Sequence, residues 1–254
     1  MLKSCGGSQQ SPVDIDTDDA LKSAFLKPIE FHGYDKPLKN AVILNNGHTV
    51  LIKTEKYSNP PYIKGGGLSG KYTFRQLHFH WGSSNYKGSE HRIDGKTYPA
   101  ELHIVHEKNK GTGDLAIVAV FLEISKRNNP DLEPIITSLP KVSVPGPAVL
   151  IKKSFPLTNL LPDDISHYYR YMGSLTTPPC TEGAVWTVLA KPVRIGQHQL
   201  KAFRKLRTSS GSKHFLSDNY RPPQELHQRI ILESIINKTR RVSNKQRSTV
   251  HSHI

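Results

Sequence analysis

The chain is poor in cysteine: its 254 residues include only Cys5 and Cys180. Two are too few for a disulfide-dense scaffold, and they lack zinc-ligand spacing. Taken alone, they fit two buried thiols or one long-range disulfide equally well. No apolar run of roughly 18 residues occurs, which leaves no candidate membrane span. The start, Met1-Leu2-Lys3-Ser4-Cys5, is too short and polar for a signal peptide, and the end carries no hydrophobic tail. Acidic residues are scarce beside basic ones, 21 against 35, for a net charge of +14. That balance suits a solvated basic surface and favours acidic partners or anionic surfaces. No Lys/Arg stripe is interleaved with aromatics, so no nucleic acid partner is expected. At 36% hydrophobic and 22% charged, the main body has the composition of an ordinary globular domain rather than a disordered one.

Helix signals are also few. Asn129-Pro130 precedes Leu132, Ile135, Ile136 and Leu139, spaced by three and four residues, and Gln199 to Leu206 is a second short candidate. Strand signals dominate. Val50 to Thr54 follows the turn-like Asn45-Asn46-Gly47, and Leu102 to His106 and Val185 to Ala190 are further strands. Leu115 to Ile124 is apolar enough to be buried on both faces. Tyr72 to Trp81 alternates, which predicts Phe74, Gln76, His78 and His80 on one face and Leu77, Phe79 and Trp81 on the other. The fold class expected is mostly β: a single domain over 5–235, built around a large, mainly antiparallel sheet with short peripheral helices. Residues 236–254 read as a disordered basic tail, with a glycosylation sequon at Asn237-Lys238-Thr239.

Within this pattern, Gln76-Leu77-His78-Phe79-His80-Trp81 puts two histidines on one strand face. Ala100-Glu101-Leu102-His103 supplies a third from another strand. Three converging imidazoles hold Zn²⁺ and leave one tetrahedral position open, the arrangement of a catalytic zinc. Each segment also sets a polar residue two positions before a histidine: Gln76 before His78, and Glu101 before His103. Zinc-bound histidines donate their other ring N–H to such acceptors. His106 falls on the opposite face from His103 and reads as a core histidine; His91 reads as structural.

These and further motifs resemble the α-class carbonic anhydrases over nearly everything from Cys5 to about Arg229. Gln9 to Ile15 resembles the family's N-terminal signature, and Gln76 to Gly82 with Gly88-Ser89-Glu90-His91 its central one. Ala100 to His106 carries the third ligand, Gly173 to Glu182 resembles the active-site loop, and Asn219-Tyr220-Arg221-Pro222 matches a motif near the C-terminal end. The resemblance implies reversible hydration of CO₂ to bicarbonate by zinc-bound hydroxide, with His78, His80 and His103 as metal ligands. It further implies that Gln76 and Glu101 orient His78 and His103, and that Thr176 takes the hydroxide's hydrogen bond and passes its own to Glu90. Val105, Ile117, Leu175 and Trp186 would form an apolar wall for CO₂, with Thr177 on the polar side and His48 as proton shuttle.

The resemblance is to the extracellular branch, whose corresponding cysteines form a disulfide. This implies a Cys5–Cys180 bond and a secreted protein, with the basic tail meeting an anionic surface or matrix. Two departures stand out: the aromatic-rich segment usual before the first cysteine is not in this sequence, and the connection from His106 to Leu115 is short. The alternative reading is a catalytically silent binding or matrix relative. Such relatives usually lack a zinc histidine, whereas all three are present here.

Overall fold

The computed structural model describes residues 3–54, 59–209 and 213–235. The tail reading and the Asn237 sequon lie outside the described residues. In chain order the strands are β1 (Asp14–Ile15), β2 (Leu21–Ser23), β3 (Ile29–His32), β4 (Ala41–Asn45), β5 (Val50–Thr54), β6 (Tyr62–Gly65) and β7 (Tyr72–Trp81). They continue with β8 (Arg92–Ile93), β9 (Ala100–Glu107), β10 (Leu115–Ser125), β11 (Val149–Leu150), β12 (Tyr168–Ser174), β13 (Glu182–Gly196) and β14 (Leu232–Ser234). The helices are short: α1 (Glu133–Ile136) and α2 (Gln197–Phe203), with 3-10 turns around them.

Twelve of these strands form one mixed sheet with the path β11-β4-β5-β7-β9-β10-β13-β12-β14-β2; β6 also joins β7, and β3 joins β6. Most neighbours are antiparallel, but β10–β13 and β14–β2 run parallel. The apolar run predicted to be buried on both faces is β10, which pairs with β9 on one edge and β13 on the other. No helix of the described residues is long and apolar enough to cross a membrane.

The sheet separates two apolar clusters. Leu77, Phe79, Trp81, Leu102, Ile104, Val118 and Val120 belong to the larger one. Val105, Ile117, Ala119, Phe121, Trp186 and Val188 belong to the other. Alternation sends His78, His80, Glu101 and His103 to the second side. Phe79 and Trp81 are almost wholly buried on the opposite side. At about 3 kcal/mol for each buried aromatic, they anchor the histidine strand from behind.

Phe74 corrects one expectation. It lies in the larger cluster with Leu77 and Phe79, not on the histidine face. The β7–β9 register shifts between Phe74 and Gln76, leaving Arg75 as an extra residue. Such a bulge reverses the facing of everything on one side of it. Strand β13 also runs well past Ala190. Its pairing with β10 skips from Val120 and Leu189 to Leu122 and Val193, so Pro192 sits where no ladder bond is required.

Candidate metal centre and its surroundings

Strand register creates the centre. His78 lies directly opposite His103 in the antiparallel β7–β9 pair, and His80 is two residues along the same face. Ring centroids lie 5.1 Å apart for His78–His80, 5.1 Å for His78–His103 and 4.6 Å for His80–His103. His80 and His103 are buried, and His78 is partly accessible.

Each ring spends one nitrogen on an oxygen. His78 Nδ1–H donates to Gln76 Oε1 at 3.0 Å, and His103 Nε2–H donates to Glu101 Oε1 at 2.7 Å. His80 Nδ1–H donates to the main-chain oxygen of Asn219 at 2.8 Å. These acceptors carry no proton, so they fix the tautomers. Burial, reinforced by the charges of His80 and His103, holds His78 well below the usual imidazole range. Burial likewise lowers His103, although Glu101 pulls against it.

The remaining nitrogens, Nε2 of His78, Nε2 of His80 and Nδ1 of His103, are bare lone pairs. His80 Nε2 is buried with no hydrogen-bond partner, and His103 Nδ1 faces His78 Nε2 at 3.3 Å. Two facing lone pairs at that distance repel unless a cation lies between them. Nitrogens bound tetrahedrally at 2.0–2.1 Å from Zn²⁺ stand about 3.3–3.4 Å apart, so the donor set fits zinc. Ligand atoms of all three rings lie within 4.8 Å of one another.

His91, Glu101 and His103 form a second close trio. Here the atoms are already spent on each other. His91 Nδ1–H donates to Glu101 Oε1 at 2.6 Å, and the backbone N–H groups of Glu90 and His91 both donate to Glu101 Oε2 at 2.8 Å. Burial pushes the Glu101 carboxyl up, but the pull of His91 and the hydrogen bonds from His103 and His91 outweigh it and hold it well below the usual carboxylate range. His91 Nε2 meets the Tyr171 hydroxyl at 2.7 Å, in line with its reading as structural. His106, as expected, faces the other cluster. Its ring meets Ala116 O at 3.1 Å and the Tyr34 hydroxyl, leaving no nitrogen for a metal.

The loop before β8 brings Glu90 beneath the histidines. It packs at Gly88, whose φ is +147° and where a Cβ would meet Pro99 O at 2.0 Å. Glu90 Oε1 accepts the Arg221 N–H at 2.8 Å and stands 3.3 Å from His80 Nδ1. Its Oε2 lies 3.8 Å from His103 Nδ1 and is buried without a hydrogen-bond partner. Thr176 is buried in the turn after β12, where Leu175 N–H donates to Thr181 O and Cys180 N–H to Thr177 O, each at 2.9 Å. No hydrogen bond joins Thr176 to Glu90 among the described residues.

Three expected wall residues meet through strand pairing: Val105 opposes Ile117, and Ile117 opposes Trp186. Leu175 packs against the same cluster, and the Trp186 ring lies 4.8 Å from that of His103. Thr177 is exposed. His48 is exposed in the turn between β4 and β5. Cys5 and Cys180 are disulfide-bonded, with Cα atoms 5.0 Å apart, and so tie the N-terminal segment to the Thr176 turn.

Two residues with parts in this site had no role assigned from sequence, Asn219 and Arg221. Both lie in the quoted Asn219-Tyr220-Arg221-Pro222 motif. Asn219 supplies the acceptor for His80 through its main chain, which side-chain chemistry cannot reveal. Arg221 holds Glu90 through its N–H, while its guanidinium binds Gln10 Oε1, Ser11 O and Cys5 O at 2.8–2.9 Å.

The family model described as eukaryotic-type carbonic anhydrase matches residues 1–235. Carbonic anhydrase 15 of Mus musculus is 40% identical over 251 residues, covering 92% of this chain and 78% of that relative. Carbonic anhydrase 4 of Oryctolagus cuniculus is 37% identical over 242 residues, covering 91% and 77%. Carbonic anhydrase 7 of Mus musculus is 37% identical over 243 residues, covering 90% and 89%.

Proposed function

We propose a division of labour among the site residues from a plain premise: this chain belongs to the eukaryotic-type carbonic anhydrase family. It is a zinc enzyme that hydrates CO₂ reversibly to bicarbonate and a proton. The single observation that carries the reading is the convergence of three buried-side lone pairs, on His78, His80 and His103, with His80 Nε2 left without any other partner. In carbonic anhydrases, zinc lowers the pKa of a bound water from about 16 to about 7 and so supplies hydroxide at neutral pH.

Gln76, Glu101 and the Asn219 carbonyl lock the three rings in the tautomers that leave those lone pairs pointing inward. With a nucleophile bound, Thr176 would turn its hydroxyl hydrogen to the partnerless Oε2 of Glu90, which would leave the threonine oxygen only its lone pairs to offer the nucleophile. That accepting role aims the nucleophile's own lone pair at the substrate carbon, a contribution to orientation. Arg221 N–H occupies Glu90 Oε1, so Oε2 is the oxygen left for Thr176. Val105, Ile117, Leu175 and Trp186 form an apolar surface for an uncharged substrate, and Thr177 borders the outgoing anion. His48, exposed on the turn between β4 and β5, carries the released proton to solvent.

The reading is tested by zinc content and CO₂-hydration rate on one purified sample, with and without chelator. Stoichiometric zinc and chelator-sensitive hydration at neutral pH are expected. Zinc without hydration would favour a silent relative. The Cys5–Cys180 bond further supports an extracellular site for the protein, since such bonds persist in oxidising compartments. Recovery from the outside of expressing cells checks that placement.

A further inference from the structure

The turn that carries His48 is fastened to the strand that carries two of the zinc ligands. Strand pairing between β5 and β7 ends at Leu51 and His78, one step short of Phe79. Side chains take over from there. Thr49 Oγ1 donates to Phe79 O at 2.5 Å and accepts the Phe79 N–H at 3.3 Å. Asn219 Nδ2 donates to His48 O at 2.9 Å and to Phe79 O at 3.2 Å. The same residue accepts the Trp81 N–H on Oδ1 at 2.8 Å and the His80 ring on its main-chain oxygen. Asn46, by contrast, only shapes the turn from within, accepting from His48 N–H and Thr49 N–H.

A proton carrier has two opposed needs. Its ring must swing freely, and its backbone must stay at a fixed distance from the proton's source. The His48 side chain is exposed, while its carbonyl is held by Asn219. We infer that the Asn219 carboxamide is a positioning residue for proton export, holding the His48 backbone in register with the zinc ligand His80. The inference rests on the shuttle reading of His48.

Asn219→Asp is the informative variant. It keeps an acceptor for Trp81 N–H and loses the donor to His48 O. Asn219→Ser removes the carboxamide without adding charge and serves as the second variant. Proton export regenerates the enzyme after product forms, so it enters kcat and not kcat/KM. In weak buffer, kcat should fall roughly fivefold and by more than kcat/KM, with free imidazole restoring it. In zinc-free protein, amide hydrogen exchange at His48 and Thr49 should quicken in both variants. Placed in a His48→Ala background, neither variant should add a further loss of kcat.

Equal falls in kcat and kcat/KM, or an undiminished loss in the His48→Ala background, would mean that Asn219 acts through His80, and would overturn the inference. If His48→Ala is slow in weak buffer and the Asn219 variants are not, the inference alone fails. If His48→Ala itself is unaffected, the shuttle reading fails and takes the inference with it.

Discussion

His103 and His106 lie three residues apart on β9, and both are buried almost completely. Burial lowers the pKa of both, His106 to about 4. Both are hydrogen-bonded. What separates them is which face they point to and what remains unspent. His106 sits among Phe74 and Tyr34 on the larger cluster's side, with both nitrogens occupied. His103 faces two other histidines with one nitrogen bare. Neither burial nor a shifted pKa marks a ligand; convergence of leftover lone pairs does.

The largest expected effect breaks the comparison at His103. His103→Ala should abolish stoichiometric zinc and reduce CO₂ hydration on the order of 10³-fold or more. Metal analysis and stopped-flow hydration check it. Retention of full zinc by this variant would return His103 to the status of His106.

A smaller effect belongs to His106 and to stability. The folded protein keeps this ring neutral down to about pH 4. An unfolded chain protonates it near pH 6.5, so between those values the unfolded state binds the extra proton. His106 therefore makes stability fall as pH drops through that window, by about 3 kcal/mol in all. Relative to the native chain, His106→Gln should show a shallower loss between pH 6.5 and 4.5, read from urea midpoints. Identical pH slopes for the two proteins would contradict this account.

The smallest effect tests the support beneath His103. Glu101→Gln preserves shape but weakens the acceptor for His103 and His91. Loss of such an outer partner typically costs about 10- to 100-fold in metal affinity or activity. Competition with a chelator of known affinity measures the change; an unaltered affinity would reduce Glu101 to a packing residue.

Much of this contrast was legible in the sequence because strand alternation is a two-residue rule. It placed His78 with His80, set His106 apart from His103, and paired Gln76 and Glu101 with the histidines they hold. The rule failed where one residue was inserted. Arg75 has no apolar or glycine signature, so the bulge was invisible and Phe74 was put on the wrong face. The strand expected over Val185 to Ala190 runs on to Gly196, because its pairing with β10 absorbs Pro192 as an irregularity. Asn219 was hidden for another reason: its carbonyl partner for His80 belongs to the backbone and comes from 139 residues away. Glu90 and Thr176 carried no positional signal of their own and were found only through the resemblance.

The Cys5–Cys180 bond has a topological consequence. The two cysteines are separated by 175 positions, and the three ligands, Glu90, Thr176 and His48 all lie between them. The histidine triad and the residues proposed to serve it are therefore enclosed in one covalent macrocycle, while Asn219 and Arg221 reach it from outside. Closing a loop of that length removes about 5 kcal/mol of chain entropy from the unfolded state in the simplest model. When the protein unfolds with this bond intact, the zinc histidines remain leashed within a bounded volume. The metal then meets a chain whose ligands never drift as far apart as their sequence positions would allow.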